Sequence, residues 1–304
     1  HTSTRHRTPN LSRSDSYFLK CLWAICFLAS SAYCVYSIRS SILSYFEYNT
    51  VSKIQDVWEN PTDFPTVTVC NQNMFATNYS IDYTKKVLTK YGIDNIYDLP
   101  LISSQFNFPA FQTSVNTFIA QSLAATNSLL LNDTEKMKLG PSVDEFVMIC
   151  MYKGNVCNTT LLKWYYDNEY GSCYQFNAGS DFYGNKIPTF TVEDPGHSSG
   201  LMLQLFAGMP NDIYTLSYGM GVHLFIHNSS EVPSSKHGVE ISTGKSSSIS
   251  VKRTFIDKLP NPYNDCYDDL DDPDRFGSFF YKKTIELYPV YSQSKCLDLC
   301  TQDF

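Results

Sequence analysis

The sequence predicts an α+β fold: one N-terminal transmembrane helix, then an extracellular β-sheet that is stapled by a disulfide and carries inserted helices. A lone membrane-length apolar run, with no charge in the 18 residues from Cys21 to Ile38, stands near the start. Two cysteine-bearing phrases follow it, Phe64-Pro65-Thr66-Val67-Thr68-Val69-Cys70-Asn71 and Gly171-Ser172-Cys173-Tyr174-Gln175-Phe176-Asn177. The first alternates β-branched residues into a Cys, as a half-buried strand does, and the second sets a Cys between a Gly turn and an aromatic strand. Together they describe two strands of one sheet bridged outside the cell.

At 1.5 Å per residue the uncharged run reaches roughly 27 Å, close to the thickness of a bilayer core. Lys20 and Arg39 can snorkel, and Tyr17, Phe18, Leu19, Ile42, Leu43, Tyr45 and Phe46 extend the apolar character, so the helix is predicted over Ser16 to Phe46. Arg5, Arg7, Arg13 and Lys20 against Asp15 place residues 1–15 in the cytoplasm by the positive-inside rule, and residues 47–304 outside. A secretory signal peptide is the rival reading, because Ser30-Ser31-Ala32 offers small residues at a cleavage site. Apolar length beyond an ordinary h-region argues against it.

From residue 47 onward 18 bases face 29 acids, which excludes nucleic acid as a default partner. Sequons at Asn78, Asn132, Asn158 and Asn228 fit a glycosylated, lumenally routed domain, with chance as the alternative. The sequon at Asn10 lies on the cytoplasmic side and is expected to stay bare.

Cys21, Cys26 and Cys34 fall inside the helix and act as small apolar residues. Seven cysteines remain. Cys150 and Cys157 flank Gly154 closely enough for a local bridge, and pairing Cys70 with Cys173 closes a loop of about 100 residues. Cys266, Cys296 and Cys300 are left over, and their partners are expected in sequence beyond these 304 residues; a chain beginning with His1 also reads as a fragment.

Between Tyr79 and Asn132 the pattern is helical, with Phe111, Val115, Phe118, Ile119 and Ala120 to Leu123 at three- and four-residue spacing; Val143, Phe146, Val147, Cys150 and Met151 repeat it. Both stripes are read as core packing. Beyond Gly171, the stretches Lys186 to Val192, Gly200 to Phe206, Gly221 to Ile226, Ser246 to Thr254 and Lys282 to Tyr291 favour extended chain.

Six phrases in this order resemble the degenerin, epithelial sodium channel and acid-sensing ion channel family, the amiloride-sensitive sodium channels. They are Phe64-Pro65-x-Val67-Thr68-x-Cys70-Asn71, Cys150-Met151-Tyr152-Lys153-Gly154-x-x-Cys157, Gly171-x-Cys173-Tyr174-x-Phe176-Asn177-x-Gly179, Gly221-x-x-x-x-Ile226-His227, Leu259-Pro260-x-Pro262-Tyr263-x-x-Cys266 and Tyr291-Ser292-x-x-x-Cys296-x-x-x-Cys300. The resemblance covers essentially the whole chain. It implies palm residues from 47 to 75, a finger from 76 to 168, and palm, β-ball and finger return from 169 to 304 up to the start of a thumb. It also implies a homo- or heterotrimer in membrane lipid that passes sodium ions across the plasma membrane, is blocked by amiloride, and has two membrane helices per subunit. The thumb and the second, pore-lining helix are absent from these residues. A single helix cannot replace a cation's hydration shell, so this chain alone is not expected to conduct.

The same resemblance assigns gating roles. His6 stands where the family has a His-Gly pair, with Arg7 in place of the Gly. Tyr48 and Tyr263 match positions that touch where ectodomain meets membrane; two interfacial anchors is the plainer reading. Asn49 and Thr50 replace the histidines of acid-sensing members and do not titrate near neutral pH, so proton gating is not expected. Constitutive, mechanical and peptide gating stay open, with an FMRFamide-type extracellular peptide ligand the preferred reading.

Two other classes are weighed. Gly196-His197-Ser198-Ser199-Gly200 fits a hydrolase nucleophile elbow through Ser198, but Val192-Glu193-Asp194-Pro195 spoils the strand that must feed it. A non-conducting extracellular receptor or binding module on a signal anchor would use the same disulfides. The acidic stretch Asp265 to Asp274 lacks the EF-hand Gly and terminal Glu and reads as a solvated loop. No zinc spacing, phosphate-cradling loop or dinucleotide fingerprint occurs, and no enzyme activity or cofactor is expected.

Overall fold

The structure, a computed structural model, describes residues 16–93, 109–167, 169–208, 220–229, 233, 238–267, 270, 272–287 and 291–302. It divides into two compact units, His1–Val57 with Lys252–Leu270, and Trp58–Val251 with Asp271–Phe304.

In the first unit, α1 (Tyr17–Phe46) runs for 30 residues without a buried side chain. It is long and apolar enough to cross a membrane, and at 1.5 Å per residue it measures about 45 Å, a hydrocarbon core plus both headgroup layers. Among the described residues none buries a side chain of this helix, which is the pattern of a helix apolar all round.

The second unit contains β1 (Thr62–Asp63), β2 (Thr66–Asn71), α2 (Asn78–Lys90), α3 (Pro109–Ser128), α4 (Asp133–Lys136), α5 (Val143–Phe146), β3 (Val147–Tyr152), β4 (Asn155–Val156), β5 (Leu162–Asp167), β6 (Gly171–Phe176), β7 (Thr191–Val192), β8 (Leu201–Leu205), β9 (Gly221–His227), β10 (Val239–Ser242), α6 (Phe279–Leu287) and α7 (Gln293–Gln302). The main sheet has the order β10-β9-β2-β6-β5, and every described pairing in it is antiparallel. A three-stranded sheet, β4-β3-β8, and the short pair β1-β7 accompany it.

β2 is the central strand, and it is buried on both faces rather than half-buried as its alternation suggests. Its threonines explain the difference. Thr66 Oγ1 donates to the Asn177 carbonyl at 2.8 Å, and Thr68 Oγ1 lies 2.8 Å from His227 Nε2 while accepting from Gln175 Nε2 at 3.2 Å. His227 Nδ1 lies 2.9 Å from the Asn228 carbonyl, which can only accept, so Nδ1 carries the proton and Nε2 accepts from Thr68. With their hydroxyls satisfied, residues that look like an outer face are tolerated inside.

The core around Val67, Val69, Phe146, Tyr174 and Phe176 joins the main sheet to the three-stranded one, and Phe176 stacks on Phe190 at 5.3 Å. A second cluster, Met74, Phe75, Leu88, Ala120, Ala124 and Leu139, lies under the helices. A capping box starts α2: Thr77 Oγ1 accepts from Ser80 N–H at 3.1 Å and Ser80 Oγ from Thr77 N–H at 3.0 Å.

Several expectations are corrected. Phe118 is 58% exposed, and α3 buries Asn116, Ala120 and Ala124 at a spacing of four instead. The side chains of Phe111 and Val115 lie outside the described residues. The stripe from Val143 to Met151 is helical only through Phe146 and then becomes β3, whose register shifts between Val147 and Ile149. That bulge puts the buried Val147 and Cys150 three residues apart, a spacing that imitates a helix. Lys282 to Tyr291 was expected to be extended, yet α6 covers Phe279–Leu287 and buries Tyr281 and Thr284 at i and i+3. From Ser246 to Thr254 no strand forms, and Lys186 to Val192 supplies only β7 and an isolated bridge to Ser180.

Candidate functional site: the membrane junction and the stapled sheet

The C-terminal end of α1 carries three aromatic residues within four positions. The Glu47 N–H closes the last turn onto the Leu43 carbonyl at 3.1 Å, the Tyr48 N–H follows onto the Tyr45 carbonyl at 3.3 Å, and Tyr48 takes φ 49°. A left-handed residue is a common way to end a helix, though for an aromatic side chain it costs about 1 kcal/mol. The turn sets the Tyr48 ring edge-on to Tyr263, with centroids 5.5 Å apart and planes at 85°. Tyr45 and Phe46 pack on Tyr48 at 6.3 and 6.4 Å.

Tyr263 is presented by a tight loop. Its N–H donates to the Pro260 carbonyl at 3.0 Å, and the Asn261 N–H reaches the Cys266 carbonyl at 3.3 Å. The first unit therefore brings together the two tyrosines singled out from the sequence. Beside them, Asn49 Nδ2 donates to Glu47 Oε2 at 3.0 Å, and no imidazole stands at Asn49 or Thr50.

In the second unit, Cys70 on β2 and Cys173 on β6 are directly opposed and bonded, with Cα atoms 4.2 Å apart. This matches the roughly 4.5 Å of a non-hydrogen-bonded antiparallel pair. Cys150 and Cys157 are bonded across the β3–β4 hairpin, whose Lys153 and Gly154 both take positive φ, as a type I′ turn demands.

Asn177 closes the far end of β6. At φ 62° its Nδ2 donates to the Phe64 carbonyl, and its Oδ1 accepts from the Phe190 N–H at 2.7 Å. At the other end, Gly171 takes φ 74°, and a Cβ there would stand 2.9 Å from Met74 Cγ. The Gly and Asn of that sequence phrase thus fix both ends of one strand.

All 304 residues match the family described as the amiloride-sensitive sodium channel. The chain belongs to that family. It is 32% identical over 171 residues to the epithelial sodium channel subunit gamma of Neoceratodus forsteri, covering 55% of this chain and 24% of the relative. Against acid-sensing ion channel 1 of Gallus gallus it is 24% identical, over 97% of this chain and 54% of the relative. Against the FMRFamide-activated amiloride-sensitive sodium channel of Cornu aspersum it is 23% identical, over 99% of this chain and 45% of the relative. The chain spans about half the length of the latter two and a quarter of the first.

Other sequence-marked residues take their places in this channel-family chain. Asn78, Asn132, Asn158 and Asn228 are all exposed. Asn132 and Asn158 cap the segments that follow them through Oδ1. Cys266, Cys296 and Cys300 are unbridged and half-buried. His6 lies outside the described residues, as do Asp268, Asp269 and Asp271. Among the described residues no group of His, Cys, Asp or Glu is arranged to hold a metal. Ser198 sits in a one-turn helix, His197–Ser199, that leads into β8, so the strand-turn-helix order of a nucleophile elbow is reversed. The family consists of ion channels, not enzymes.

One cluster escaped the sequence reading. His223 on β9 packs against the Tyr170 ring, tilted by 52° with centroids 4.4 Å apart, and lies 3.8 Å from Glu240 of β10. Burial lowers the His223 pKa below the ordinary imidazole value, while Glu240, Glu169 and Asp167 pull it upward. Burial also pushes the Tyr170 hydroxyl up to about 12. The available signal was the two-residue period that puts His223 and Phe225 on one face of β9, with Phe225 5.2 Å from Tyr170.

Proposed function

We propose that this chain is part of a subunit of a trimeric, amiloride-sensitive sodium channel of the plasma membrane. Residues 1–15 are cytoplasmic, α1 is the first of two membrane crossings, and residues 47–304 are extracellular, with palm, finger and β-ball as in the family. Cys266, Cys296 and Cys300 pair with thiols outside these 304 residues. The observation that carries the reading is the family match along all 304 residues, borne by a chain that starts with a membrane-length apolar helix.

Gating runs through the aromatic contact of Tyr48 with Tyr263, which links the outer end of α1 to an extracellular turn. An aromatic pair is worth about 0.5–1.5 kcal/mol beyond its buried area, enough to bias a gate whose two states differ by a few kcal/mol. Asn49 and Thr50 supply no titrating group at this junction, so an extracellular peptide, rather than protons, is the favoured ligand class.

The test is electrical. The full-length protein, expressed alone or with related subunits in oocytes and challenged with FMRFamide-type peptides, should carry an inward sodium current that amiloride blocks. Surface-labelled protein without any amiloride-blocked current under these conditions overturns the reading.

A further inference from the structure

We infer that the loop from Leu259 to Tyr267 docks into the phospholipid bilayer at the C-terminal end of α1, with Leu259, Tyr263 and Tyr267 as its lipid-facing side chains. This rests on α1 crossing the membrane. A helix of 30 residues is about 45 Å long, so with its apolar stretch centred in the hydrocarbon its last turn lies at headgroup depth. Tyr48, just past that turn, touches Tyr263 at 5.5 Å, which brings the loop to the same depth.

The loop cannot stray far from that level. Leu259 and Tyr267 are each four residues from Tyr263, and the hydrogen bonds from Asn261 to Cys266 and from Tyr263 to Pro260 draw the loop together. Leu259 is 56% exposed, Tyr263 42% and Tyr267 52%, on a segment without regular secondary structure.

The composition suits a lipid interface. Tyrosine places an apolar ring in the acyl boundary and its hydroxyl among headgroups, Leu259 adds a purely apolar contact, and Lys258 next to it supplies a cation for phosphate, while the exposed carboxylates of Asp257 and Asp265 stay on the water side of the headgroups. Tyr45 and Phe46, both exposed at the end of α1, continue the belt. The occupant is therefore membrane phospholipid of that leaflet.

Photocrosslinking tests this in the full-length protein reconstituted in phosphatidylcholine vesicles that carry an alkyne-tagged acyl chain. Benzoylphenylalanine (Bpa) is placed in turn at Leu259, at Tyr267, and at Phe27 within α1, and the unsubstituted protein sets the background. The expected result is lipid labelling at Leu259→Bpa and Tyr267→Bpa severalfold above background and comparable with Phe27→Bpa. Strong labelling at Phe27 with background labelling at both loop positions overturns the docking while leaving the membrane reading intact. Crosslinks from the loop to polypeptide instead of lipid overturn it as well. Background labelling at Phe27 overturns both.

Discussion

Replacing Cys70 and Cys173 together by alanine opens a link between two adjacent strands in the middle of the five-stranded sheet, where both residues are fully buried. They stand 103 positions apart, and constraining a loop of that size in the unfolded chain stabilises the fold by about 4.7 kcal/mol in the chain-entropy model. The bridge from Cys150 to Cys157 spans only 7 positions, for which the same model gives about 2.4 kcal/mol. The two double variants should differ by about 2 kcal/mol, or about 4–8 °C in Tm for a domain of this size. Thermal unfolding of detergent-solubilised full-length protein, followed by fluorescence-detected gel filtration, reads that gap. Pairs are replaced so that no orphan thiol confuses the comparison. Equal Tm losses, or a larger loss for Cys150 and Cys157, refute the reasoning that sheet-spanning connectivity dominates.

Asn177→Ala should cost about 3 kcal/mol, because it strands the Phe64 carbonyl and the Phe190 N–H and puts Ala at φ 62°, a left-handed conformation that Asn tolerates better; urea unfolding reads the loss. His223 should make the fold weaker in acid. Its folded pKa lies below the unfolded value, so the unfolded chain binds the extra proton, and stability present above about pH 6.5 is lost as pH falls through that value. The Tm difference between pH 7.5 and 5.5 should shrink in His223→Gln, and an unchanged difference refutes that role. Endoglycosidase treatment of protein from animal cells should remove glycans from Asn78, Asn132, Asn158 and Asn228 and none from Asn10, since the four stand exposed and the proposed topology puts them outside the cell.

Much of this arrangement was legible in the sequence, for identifiable reasons. The strand at Thr66–Asn71 declared itself through β-branched residues, and the Cys150–Cys157 bridge through the close spacing of the two cysteines about Gly154. What the pattern hid was tertiary. The threonines of β2 look like an outer face until Asn177, Gln175 and His227, more than a hundred residues away, satisfy their hydroxyls. The bulge in β3 converts a strand's two-residue period into a three-residue one, and the β-branched Thr284 and Ile285 of α6 mask a helix that buries a single face. At the junction, Tyr48 and Tyr263 could be paired only through the family likeness, because 215 positions of chain separate them.

The central claim is that the outer end of α1 is coupled to the extracellular turn through two aromatic rings. A double-mutant cycle on the full-length channel tests it most directly, with amiloride-blocked current per surface channel measured for Tyr48→Ala, Tyr263→Ala and the double variant. The account predicts non-additive effects, with a coupling of about 0.5–1.5 kcal/mol and single variants that still reach the surface. Strictly additive effects, or currents unchanged in both single variants, would contradict it.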